Sequence, residues 1–89
     1  MNFRNALLAA CDEMEVSELS PRMRSTVKGL RDAPVKHPRL WRVLEHAVAH
    51  KYETETGNRV GDWTSVIAWL VKNGPAILKI VMLLLPLFI

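Results

Sequence analysis

The last 27 residues of this 89-residue chain, 63–89, contain two lysines, no acidic residue and a nearly unbroken apolar run. Whatever the rest of the chain forms must leave that run covered. A domain this short buries only about 60–65% of the surface its unfolded chain exposes. A single cysteine, Cys11, excludes an internal disulfide framework. The cover therefore has to come from the chain's own helices, from a membrane or from a partner.

Taken as one straight helix, residues 63–89 would be about 40 Å long, enough to cross a hydrocarbon core of about 30 Å. Lys72 and Lys79 oppose that arrangement, because a lysine near a membrane centre costs roughly 2.5–3.5 kcal/mol. Ser65, Lys72, Lys79 and Pro86 are spaced by seven, so on a continuous helix they form one polar seam. A helix lying in the interface would lift both ammonium groups to the headgroups. An oligomer would turn the seam inwards. Asn73-Gly74-Pro75 breaks the helical pattern, which predicts two angled helices rather than a rod. The expected membrane- or assembly-facing residues are Trp63, Ile67, Trp69, Leu70 and Ile77, followed by Leu78, Val81, Leu84 and Phe88. The bland counter-reading is that these residues are the core of a bundle.

The formal net charge of +3 conceals strong segregation. Residues 1–20 carry Arg4 against Asp12, Glu13, Glu15 and Glu18. Residues 21–42 carry seven bases against Asp32 alone. Arg24, Lys28 and Arg31 recur at i, i+4 and i+7 opposite Met23, Val27 and Leu30, and Arg39 and Arg42 extend the charge. Such a stripe suits phosphates, either of anionic lipid or of nucleic acid. The apolar segment on the same chain favours lipid, and the proline-rich stretch 32–38 does not fit a helix-turn-helix. The alternative is an ordinary solvated helix face.

The periodicity predicts an all-α fold of about five short helices. Asn2 caps the first, which carries Phe3, Leu7, Ala10 and Met14 on one face. Ser20-Pro21 starts the second, and Pro38 starts a third that runs to about Thr56 and stops at Gly57-Asn58. Asp62 caps a fourth, and the fifth follows Asn73-Gly74-Pro75. Residues 1–61 thus read as an amphipathic head and residues 62–89 as an apolar docking tail.

Catalytic constellations are not evident. His46, His50 and Glu53 share one arc of the third helix, but Ala47 follows His46 where a metalloprotease helix needs glutamate. They read as exposed partners in helix-surface pairs, and no metal or cofactor is expected. No serine sits in an elbow motif, no glycine-rich phosphate loop occurs, and Cys11 has acidic neighbours that raise a thiol pKa. Leu8-Ala9-Ala10-Cys11 looks like a lipoprotein lipobox, yet the preceding apolar run is too short for a signal peptide, so secretion is not expected.

The leading expectation is a non-enzymatic helical protein with no small-molecule substrate. Its tail docks into a membrane or a larger assembly, virion-type included, with the head on the cytoplasmic side and the bases on an anionic surface. A pore-forming or permeabilising oligomer, with the seam lining a wet lumen, is the first alternative. A small nucleic-acid-associated oligomer is the second.

Overall fold

The computed structural model describes residues 1–14, 19–32 and 38–88. Among the described residues five α-helices follow in order: α1 (Phe3–Glu13), α2 (Pro21–Asp32), α3 (Pro38–Thr56), α4 (Ile67–Lys72) and α5 (Gly74–Phe88). A 3-10 turn, Trp63–Val66, leads into α4. No strand occurs among the described residues, and the fold is all-α as the periodicity predicts.

The helix boundaries follow from local chemistry. Asn2 Oδ1 accepts the Asn5 backbone N–H at 2.8 Å, and Ser20 Oγ accepts that of Met23 at 3.2 Å. Each satisfies a donor that the first turn leaves unpaired. Gly57, with φ of 74°, ends α3 in the left-handed region and donates its N–H to Glu53 O at 2.9 Å. Asp62 Oδ1 accepts from the Thr64 N–H at 3.1 Å to open the 3-10 turn. Asn73 folds back on α4, with both its backbone N–H and its Nδ2 donating to Trp69 O at 2.9 Å. These two hydrogen bonds close α4, and α5 departs at 98° to it. Gly74 stands at this corner beneath the flexible end of the Met14 side chain, whose Sδ would lie 2.7 Å from a Cβ placed there.

The buried residues form one cluster that draws on both the head and the tail. Leu7, Leu30, Leu40, Leu44 and Val48 come from α1, α2 and α3. Val66, Leu70, Ile77, Leu78 and Val81 come from residues 62–89 and are sealed equally well. The α4 segment packs on α1, and α5 packs on α2 and α3. One side of the apolar tail is therefore covered by the chain itself as far as Val81. Phe3 serves as a hinge-pin between the two parts, edge-on to Trp63 with centroids 4.8 Å apart and to Trp41 at 6.3 Å.

Candidate functional site

The outer face of α5 is the clearest departure from a fully covered surface. Pro75, Lys79, Leu83 and Leu87 follow one another at four-residue steps, and all are exposed. Leu83 and Leu87 keep 75% and 74% of their surface open. Ile80, Leu84 and Leu85 beside them are half-buried. A single exposed leucine is ordinary, but two on consecutive turns flanked by partly open aliphatics make a patch. Lys79 gives the face a cationic end, so the strip is amphipathic along its length.

The tail residues expected at an interface divide into three groups. Leu70, Ile77, Leu78 and Val81 are fully buried, because α1, α2 and α3 supply the apolar cover that a membrane was expected to provide. Ile67, Trp69 and Leu84 are half-buried. Trp63 is buried, with its indole donating to Glu45 Oε2 at 2.9 Å, which ties the start of the tail to α3. Trp69 stands edge-on to Tyr52 with centroids 5.2 Å apart. Phe88 closes α5, and its side chain lies outside the described residues. The interface residues expected from the sequence do not include Leu83 and Leu87. The signal that finds them is Lys79, which marks the outer face and places both at i+4 and i+8.

Ser65, Lys72 and Lys79 are all exposed. The 98° corner at Asn73 separates Ser65 and Lys72 from Lys79, so they do not form one straight row. No single helix among the described residues is long and apolar enough to cross a membrane, whereas Trp63–Lys72 and Gly74–Leu87 reach that length and composition together.

The basic residues are spread over α2 and the start of α3, and Arg24, Lys28, Arg31, Arg39 and Arg42 are all exposed. Arg31 pairs with Asp12, and Arg24 Nε donates to the Leu19 carbonyl at 3.3 Å. Lys28, Arg39 and Arg42 have no ion-pair partner among the described residues. A positive field thus remains after the internal pairs are formed.

Beside Arg42, the starts of α1 and α3 enclose a cleft of about 400 Å3 whose walls include Phe3, Arg4, Trp41 and Glu45. The Arg4 guanidinium lies over the Trp41 ring, 5.6 Å from its centroid. Arg4 and Trp41 are far apart in sequence, and no local pattern announces their contact.

His46, His50 and Glu53 are exposed along α3, and no three potential metal ligands converge among the described residues. Cys11 is buried, and its thiol is pushed up to about 11, first by burial. Arg31 opposes that rise and Asp12 adds to it, so the acidic neighbour is a minor cause. The Asp62 carboxyl is held below its ordinary value, chiefly by the N–H of Thr64. Lys36 of the basic block and the stretch 33–37 lie outside the described residues. No protein-family model, curated protein or solved structure matches the chain.

Proposed function

We propose that this is a non-enzymatic helical protein that docks onto an anionic membrane surface through the outer face of α5. The observation that carries the reading is the pairing of Leu83 and Leu87, each about three-quarters exposed, with Lys79 one turn before them. Leucines that enter the boundary between headgroups and acyl chains gain free energy in proportion to the area they bury, about 25 cal/mol per Å2. The Lys79 ammonium reaches anionic headgroups from the same face. Lys28, Arg39 and Arg42 add attraction that acts over roughly a Debye length. Docking of this kind leaves the core intact, because the buried half of α5 is not asked to move.

Co-sedimentation with vesicles of phosphatidylcholine, with and without phosphatidylserine, tests the reading. Binding is expected only with the anionic lipid, and it should weaken as salt rises. Retention by neutral vesicles alone, or none by either, would overturn it.

The bent pair formed by Trp63–Lys72 and Gly74–Leu87 favours a second reading, in which the corner opens and the two helices enter the bilayer as a broken span. That form requires Ile77, Leu78 and Val81 to leave the core. Alkaline carbonate extraction separates the two, since peripheral docking is released and insertion is not.

A further inference from the structure

The cleft between the starts of α1 and α3 is lined by two side chains, Arg4 and Trp41, that each carry an N–H without an acceptor among the described residues. Arg4 Nε and Trp41 Nε1 are both shut off from solvent, and neither has an acceptor among the described residues. Trp41 as a whole is 9% exposed, and its indole nitrogen can only donate. A buried N–H left without an acceptor is costly, so an anion that reaches these donors as Arg4 turns off the Trp41 ring is rewarded. Arg42 adds a second guanidinium to the same wall. The carboxylate in the lining, Glu45, accepts the Trp63 indole N–H through Oε2 and keeps its negative charge, one against the two guanidiniums. The cleft therefore carries a positive balance, and its volume falls in the range of small-molecule sites.

We infer that this cleft binds a phosphate group, carried either on a small soluble molecule or on a lipid. Arg4, Trp41 and Arg42 are among the donor-bearing side chains that line the space, and a terminal phosphate offers three oxygens where a carboxylate offers two. Guanidinium forks match phosphate edges in pairs, which a lysine does not. Arg4 rests on the Trp41 ring and makes no ion pair among the described residues, so it is free to turn its N–H groups toward a bound anion. Phe3 and Trp41 supply aromatic walls for an apolar body attached to the phosphate. The site is distinct from the leucine face of α5 and goes beyond the docking reading.

The test follows the indole N–H resonances of the 15N-labelled full chain during titration with inorganic phosphate and with phenyl phosphate, at ionic strength held constant with chloride. The Trp41→Phe variant, which loses one signal, identifies the Trp41 resonance. A saturable shift of that resonance, with Trp69 unmoved, is the expected result. Arg4→Gln and Arg42→Gln should each weaken binding by about tenfold or more, as loss of a charged hydrogen bond implies. Lys28→Gln removes the same charge from α2 and should change binding less than about twofold. Leu83→Ser with Leu87→Ser should leave phosphate binding unchanged, so that failure of the docking reading and failure of this one are separately visible. Vesicles of phosphatidic acid that compete with phenyl phosphate would identify a lipid source, and absence of competition a soluble one. An unmoved Trp41 resonance with both probes would overturn the proposal. So would an equal loss from Lys28→Gln and Arg4→Gln, because the attraction would then be diffuse charge.

Discussion

Ile77, Leu78 and Val81 in the first half of α5 have no exposed surface, while Leu83 and Leu87 in its second half keep about three-quarters of theirs. Both halves are aliphatic, and hydropathy does not distinguish them. The difference is geometric. The first half crosses α2 and α3 where Leu30, Leu40, Leu44 and Val48 are waiting, and the outer face of the second half meets little among the described residues. An 89-residue protein has enough apolar cover for part of such a tail and not for all of it, which is the shortage that the surface-to-volume argument anticipates.

The most direct way to break this comparison is to truncate one leucine in each half. Leu78→Ala removes a side chain with no exposure and leaves a cavity, so unfolding in urea should show a loss of about 2–5 kcal/mol. Leu83→Ala should stay within about 0.5 kcal/mol of the parent chain. Equal losses would mean that the outer half is also packed.

Cys11 reports on the same core from α1. Its thiol is buried and pushed up to about 11, so alkylation near neutral pH requires the core to open. Leu78→Ala should then accelerate alkylation by about thirtyfold or more, the equivalent of about 2 kcal/mol, and Leu83→Ala should leave the rate unchanged. The pH dependence has a definite sign. The folded thiol binds its proton more tightly than the unfolded one, whose value is 9.0. This contribution is complete below pH 9 and is lost as pH rises from there toward 11, so alkaline midpoints of unfolding should fall across that window.

Trp63 sharpens the contrast at the opposite end of the tail. Trp63→Phe keeps an aromatic ring against Phe3 and deletes the indole N–H that Glu45 accepts. Equilibrium unfolding should register a loss of about 1–3 kcal/mol, counting the smaller ring. A change near zero would show that the tie to α3 contributes no stability and that packing alone anchors the start of the tail.

These differences explain what was legible in the sequence. Helix ends are written locally: Asn2, Ser20-Pro21, Gly57 and Asp62 each act within four residues, and each stands where its chemistry predicts. The corner at Asn73-Gly74-Pro75 is equally local. Burial of the tail is not, because a helix that is apolar nearly all round has no polar face to say which side is outside. Lys79 alone carries that information, and its meaning appears only once α2 and α3 are in place. The Arg4–Trp41 stack is less legible still, since it joins the starts of two helices that sequence places far apart. In the sequence Arg4 counts only as a charge, and no residue near Trp41 points to it.

The smallest expected change in stability belongs to the outermost residues, and there the comparison turns into a statement about function. Replacing Leu83 and Leu87 together by serine takes away no buried contact of consequence, so the unfolding free energy should move by less than about 0.5 kcal/mol. A residue selected for stability would not behave this way. If the leucines instead meet acyl chains, the same double change deletes the area that binding buries, and partition onto phosphatidylserine vesicles should fall by about tenfold or more. Folding and docking are thereby read from one protein with two measurements that need not agree. Unchanged partition with unchanged stability would assign the exposed leucines no role in docking and leave the cations of α2 and α3 as the whole of the attraction. A parallel fall in both would place them in the core with Leu78.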